Sequence, residues 1–227
     1  MKQIISVIQQ KGGVGKTTLT VHLAHELRVQ NPNWRIAIAD ADPQQSATKW
    51  VARGKLMNDS GIDAYTVAAD GEGKHLRKEL EAIDANVVLI DLPPAIESVS
   101  LRAALYAHLM LVPVGASALD IEAAKAAIDV CEEAQGLDGT KKFLIVPSKV
   151  RSSTAAGREL RTVLSRWGQV SETTLGLRVA YSDAATTGEG INSYAPSSAA
   201  HQEMKKLARE VTVILGGCNG QQKALAS

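Results

Sequence analysis

Gln9-Gln10-Lys11-Gly12-Gly13-Val14-Gly15-Lys16-Thr17-Thr18 stands between an apolar run at 4–8, read as a strand, and a helical pattern that begins inside it. Three glycines permit a tight turn that brings backbone N–H groups close to an anion, and the helix that follows adds the positive end of its dipole. Together they describe a phosphate cradle. Lys16 has the length and charge to reach β- and γ-phosphates, and the Thr17 hydroxyl is a small oxygen donor suited to Mg²⁺. The ordinary pattern G-x-x-x-x-G-K-[ST] has Gln10 at its first glycine, so the pair Gly12-Gly13 supplies the flexibility, and a second lysine, Lys11, precedes that pair. A dinucleotide fingerprint, G-x-G-x-x-G, fails here because Gly13 to Thr18 carries a lysine and ends in threonine.

Outward from this stretch, acids recur where strands end. The apolar run at 36–39 leads into Asp40-Ala41-Asp42-Pro43-Gln44-Gln45-Ser46. Two carboxylates thus lie at the carboxyl end of a strand, where open α/β sheets bind ligands. Asp42 with Pro43 behind it also reads as a helix cap with proline at the first helical position, and the two readings are compatible. At 87–90 four consecutive apolar residues indicate a buried parallel strand that ends in Asp91, an acid that serves either as a ligand or as a cap for the next helix. Further strands are expected at 64–68, 109–114, 143–146 and 175–179, with Arg178 in the last. Helices are expected at 45–54, 71–84, 118–134, 152–167 and 198–215. This alternation predicts a doubly wound, mostly parallel sheet flanked by helices, with its site along the carboxyl edge.

Lys11-Gly12-Gly13-Val14-Gly15-Lys16-Thr17 fits K-G-G-x-G-K-[ST], the deviant Walker A motif. With the D-x-D-P-Q run from Asp40 to Gln44, the stretch Asp91-Leu92-Pro93-Pro94 and the text at 180–200, the chain resembles ParA/MinD partitioning ATPases over nearly its whole length. It matches their short form, in which no DNA-binding domain precedes the first strand. The resemblance implies P-loop NTPase activity with ATP and Mg²⁺, the nucleotide held by Lys11, Gly12, Gly13, Val14, Gly15, Lys16, Thr17 and Thr18. It assigns catalytic roles to Lys16, to Lys11 reaching across an ATP-bound homodimer, and to Asp42 orienting the attacking water. Thr17, Asp40 and Asp91 are implied around the metal, and Leu92 to Ala95 as the loop that senses the γ-phosphate. Pro147 is implied as a base contact, although the local pattern alone reads equally as a strand-end turn.

Composition narrows the rest. The 227 residues are 45% hydrophobic and 22% charged, with a formal net charge of +1, so the bulk charge pushes toward neither nucleic acid nor membrane. One domain is expected over 1–217, with a flexible tail at 218–227. Cys131 and Cys218 form no C-x-x-C pair, which argues against a disulfide framework, a zinc site or iron-sulfur work. No signal segment, spanning helix or amphipathic tail anchor is read, so a cytoplasmic protein without a membrane partner is expected. His22, His25, His75, His108 and His201 lack metal-ligand spacing and read as structural or surface residues.

Partitioning is the job this leaves. The resemblance implies non-specific DNA binding by the ATP-bound dimer, association with the nucleoid in that state, and a ParB-like or adaptor partner that stimulates hydrolysis to segregate DNA. Positioning of a protein cargo by the same cycle is the alternative, and a metabolic P-loop ligase a more remote one, since Lys11 argues against it. Phosphate contacts need a local basic surface, for which Arg158, Arg161 and Arg178 are preferred among Arg151, Arg166, Lys205, Lys206 and Arg209.

Overall fold

The computed structural model describes residues 2–57, 61–68, 75–94 and 97–216. The expectations for Ala95, for the start of the 71–84 helix, for Cys218 and for the 218–227 tail fall outside these residues. A sheet of six strands is built from β1 (Gln3–Val7), β2 (Ile36–Asp40), β3 (Ile62–Thr66), β4 (Val87–Asp91), β5 (Leu109–Val114) and β6 (Lys142–Pro147). Their order is β3-β2-β4-β1-β5-β6 and every pairing is parallel. The chain runs outward from β1 to β2 and β3, returns to lay β4 beside β1, and then continues on the other side through β5 and β6. The sheet therefore reverses direction at β1, and the loop that leaves β1 lies at the topological switch point, where such sheets bind ligands.

Helices cover both faces, which explains why the central strands are continuous apolar runs instead of alternating ones. Val87, Val88, Leu89 and Ile90 of β4 are fully buried, each burial contributing about 1.5–3 kcal/mol. Val88 and Ile90 pack with Leu76 and Leu80 of α3 (Leu76–Ala82), Val99 and Ala103 of α4 (Glu97–Tyr106), Ala124 and Ile128 of α5 (Ala118–Leu137), and Leu160 of α6 (Ala155–Leu164). Val87 and Leu89 face the opposite layer, made by α1 (Lys16–Gln30), α2 (Ser46–Met57), α7 (Val179–Thr187), α8 (Ile191–Tyr194) and α9 (Ala199–Ile214).

The α1 helix lies inside the second layer, between the sheet and α8 and α9, and so is buried almost all round. The apolar residues at helical spacing, Leu19, Leu23, Ala24 and Leu27, are joined in the interior by His22, His25 and Glu26. His22 Nδ1 accepts from Ile191 N–H at 3.0 Å, so Nε2 carries the proton and donates to the Tyr181 carbonyl at 2.9 Å. Its ring also meets Trp50 edge-on at 5.1 Å. The structural reading of these histidines agrees with this packing.

One expected strand is absent as such. Residues 175–179 make only an isolated bridge, Val150 to Gly176, alongside the end of β6. Lys149, with a φ of 54°, interrupts the pairing: Leu175 N–H donates to the Pro147 carbonyl on one side of it and Val150 bridges Gly176 on the other. Arg178 is accordingly the residue before α7, not a strand residue. The helices α4, α7 and α8 went unread in the sequence.

Burial pushes the His22 and His25 imidazoles down to about 4, with the neighbouring His22 charge further disfavouring protonation of His25. A histidine neutral when folded but basic when unfolded adds stability above pH 6.5 that is lost as pH falls toward 4. Asp91, raised when folded, works in the opposite direction, so the comparison must be with a variant. The stability advantage of the parent over His22→Gln is expected to shrink by about 3 kcal/mol between pH 7 and pH 4, read from urea unfolding midpoints. A gap independent of pH would show that His22 does not titrate between the two states.

Candidate nucleotide-phosphate site

The loop after β1 enters α1 through Gly13 and Gly15, whose φ values of 76° and 99° lie in the left-handed region. A side chain at either position would be strained. Gly15 is the N-cap of α1, no side chain caps the helix, and its first turn holds no acid. The first N–H groups of a largely buried helix are thus left for an anion, as a phosphate cradle requires. Lys16 is 8% exposed and donates weakly to the Lys11 carbonyl at 3.4 Å. Burial lowers its pKa, while the charges of Asp91 and Asp42 oppose that shift.

Strand register brings the acids to the same edge. Asp40 pairs with Asp91 across β2 and β4, and Asp91 pairs with Val7 across β4 and β1. Asp91 Oδ2 accepts the Thr17 hydroxyl at 2.7 Å, whereas the buried Oδ1 has no hydrogen-bond partner among the described residues. Burial pushes this carboxyl up to about 7; the Thr17 hydrogen bond opposes the shift and the Asp40 charge adds to it. An orphaned carboxylate oxygen beside a threonine hydroxyl and an open cradle is the donor set that Mg²⁺ bound to a triphosphate fits.

Asp40 is used differently. Its Oδ1 accepts from Asp42 N–H at 3.2 Å and its Oδ2 from Thr48 N–H at 2.8 Å, so this fully buried acid ties the loop to the start of α2. Asp42 Oδ1 accepts from Gln44 N–H at 2.8 Å and closes a tight turn. The capping reading with Pro43 at the first helical position does not hold: Gln45 has φ 53°, and α2 starts only at Ser46.

Lys11 points away from the cradle. Its ammonium meets Asp120 Oδ1 at 2.6 Å, and Asp120 is in turn held by the Ser117 hydroxyl at 2.6 Å at the N-terminus of α5. Burial pushes the Asp120 carboxyl up, but the hydrogen bonds from Lys11 and Ser117 outweigh it and hold the group below its usual range. Gly115 makes room for this pair, since a Cβ there would stand 2.4 Å from Asp120 Oδ2. Sequence reasoning missed Asp120, although Ser117-Ala118-Leu119-Asp120 carries the S-x-x-D pattern of a capped helix start.

Two clefts flank the loop. One, of about 470 Å³, is bordered by Lys11, Gly12, Gly13, Asp120, Lys149 and Arg151. The other, of about 160 Å³, lies between Gly15 and Thr18 on one side and Ser148, Leu175, Arg178 and Tyr181 on the other. Pro147 is buried as the last residue of β6, with its carbonyl accepting from Leu175 N–H, and the residues after it do the lining. Glu203, also unread in the sequence, fixes one wall by accepting from Gly176 N–H at 3.0 Å and from Arg178 Nη2 at 2.7 Å. Arg161 is paired with Glu172 at 3.0 Å, while Arg158 makes only a hydrogen bond to the Ser153 carbonyl. Of the three preferred DNA contacts, Arg158 alone has no acid partner among the described residues. No described helix is long and apolar enough to cross a membrane.

A protein from Gloeobacter kilaueensis described as "Maintenance of carboxysome distribution protein A" is 29% identical over 213 residues, covering 92% of this chain and 94% of the relative. A "Chromosome-partitioning ATPase Soj" from Thermus thermophilus is 28% identical over 236 residues, covering 91% and 94%. Among solved structures, the septum site-determining protein MinD of Pyrococcus horikoshii, complexed with Mg-ADP, superposes with a TM-score of 0.73 at 17% identity, covering 95% of this chain and 98% of that one. The fold is shared with that protein. The model of the CobQ/CobB/MinD/ParA nucleotide-binding domain matches residues 5–210, and the chain belongs to that family.

Proposed function

We propose that the protein is a Mg²⁺-dependent ATPase of the ParA type, which dimerises with ATP, binds DNA without sequence preference, and segregates DNA through hydrolysis stimulated by a ParB-like or adaptor partner. The observation that carries this reading is the second lysine. Lys16 belongs to its own cradle, whereas the Lys11 ammonium lies outside it, held by Asp120 in a partly buried ion pair. Because both groups keep some access to solvent, the pair is worth on the order of 1 kcal/mol, and exchanging Asp120 for the phosphates of a second copy costs little. A cation delivered in trans stabilises the charge that develops on the transferring phosphoryl group. Thr17 and Asp91 would hold Mg²⁺, which would supply neutralising charge to the phosphates, and Asp42 would hold the attacking water in line.

The cargo admits a second reading, positioning of a protein assembly, which the name of the Gloeobacter kilaueensis relative favours; the Thermus thermophilus relative favours DNA. Both use the same cycle, and both differ from a metabolic ligase in retaining DNA with ATP but not with ADP.

Light scattering on addition of ATP and Mg²⁺ should report dimerisation in the parent, none in Lys16→Ala through loss of nucleotide, and loss of dimerisation or of turnover in Lys11→Ala. If Lys11→Ala dimerises and hydrolyses like the parent, the role in trans is wrong. Asp42→Ala should bind ATP and DNA normally yet fail to release DNA when the partner is added; parental ATPase activity in that variant would remove Asp42 from the mechanism. DNA affinity should fall steeply with salt, with a log-log slope lowered by about one in Arg158→Ala and by less in Arg161→Ala, where Glu172 already holds the guanidinium. A sequence-specific footprint would contradict this mode of binding.

A further inference from the structure

Lys149 is one of two described non-glycine residues with positive φ, and both are at the carboxyl edge: Gln45 at 53° in the turn after Asp42, Lys149 at 54° after β6. A lysine gains nothing locally from the left-handed region, so the surrounding structure must hold it there. What it achieves there is a long-range contact. The Lys149 ammonium donates to the Gly13 carbonyl at 2.5 Å, across 136 positions of sequence. Its stem lies against the same loop further on, since a Cβ on Gly15 would stand 3.4 Å from Lys149 Cε. Lys149 and Val14 are also the residues shared by the two clefts, so the side chain forms part of the wall between them.

We propose that Lys149 is a positioning residue for the nucleotide, a strap that fixes the peptide between Gly13 and Val14. In a trans peptide the C=O and N–H point in opposite directions. With the Gly13 oxygen drawn onto the ammonium, the Val14 N–H is aimed away from Lys149, and that carbonyl cannot turn inward to repel a phosphate. Gly13 itself, a glycine at φ 76°, has no Cβ to restrict its backbone to one conformation. The strap thus supplies, from a distant strand end, an order that the glycine-rich loop lacks. The backbone of residue 149 carries the cost and the phosphate loop receives the benefit. This inference rests on the nucleotide-binding reading above.

The test measures Mg²⁺-dependent binding of a fluorescent ATP analogue, its dissociation rate and the melting temperature, in the parent and in Lys149→Met, Lys149→Arg and Lys149→Gly. Lys149→Met is expected to bind about fivefold more weakly, mainly through faster dissociation, as suits loss of a charge-assisted hydrogen bond at an exposed site. Lys149→Arg, which keeps a cationic donor, should recover to within about twofold of the parent. Lys149→Gly relieves the backbone strain, so it should melt at or above the parent temperature while losing affinity as the methionine variant does. Parental affinity in both the methionine and glycine variants would overturn the proposal. Recovery in glycine but not in methionine would also overturn it, by assigning the effect to strain instead of to the contact. A parent protein that does not bind the analogue would fail the nucleotide reading itself, together with everything built on it.

Discussion

The hydrogen bond from Thr17 to Asp91 joins the two parts of the molecule on which the rest depends, the first turn of α1 and the end of the central strand β4. Its geometry is inherited. Parallel register sets Asp91 level with Val7 on one side and Asp40 on the other, and the glycine-rich loop carries the chain from Val7 to Thr17. Because α1 is packed against the sheet on one face and against α8 and α9 on the other, it has little freedom to shift its N-terminus. A cradle made of backbone N–H groups is only as well ordered as the helix that presents them.

Three carboxylates near one another on one edge would repel, and the structure handles each differently. Asp40 spends both oxygens on backbone N–H groups and so acts as a clamp for the loop before α2. Asp42 is half-buried and shapes a turn. Asp91, buried with one oxygen unpartnered, is pushed up to about 7 by desolvation and is the least settled of the three. Lys16 is placed among these fields, its own burial lowering its pKa while the acids oppose that shift. A divalent cation held at Asp91 would offset the carboxylate charge gathered at this edge.

Local signals carried much of this in the sequence. The glycines, Lys16 and Thr17 are contiguous, and the apolar runs before Asp40 and Asp91 are long enough to mark buried strands. The doubly wound sheet followed from alternation alone. What could not be read was made by contacts between distant segments: Lys11 with Asp120, Lys149 with Gly13, Glu203 with Arg178. The misplaced strand at 175–179 has the same origin, since its apolar residues are consistent with pairing and the positive φ of Lys149 interrupts the partner segment. The buried stripe of α4 is made of Val99, Ala103 and Ala104, mostly small residues, α7 buries only Tyr181 and Ala184, and α8 has a single buried apolar residue, Ile191, so periodicity gave little signal.

The central position of β1 has a consequence for biosynthesis. β1, made before the other strands of the sheet, has as its neighbours β4 and β5, and the helix that follows it is closed off by α9 through contacts 175 positions apart in the chain. Contacts of such long sequence separation form only after the intervening chain has been paid out. Between the synthesis of β1 and that of α9 the nascent polypeptide therefore carries its glycine-rich loop without a finished edge around it.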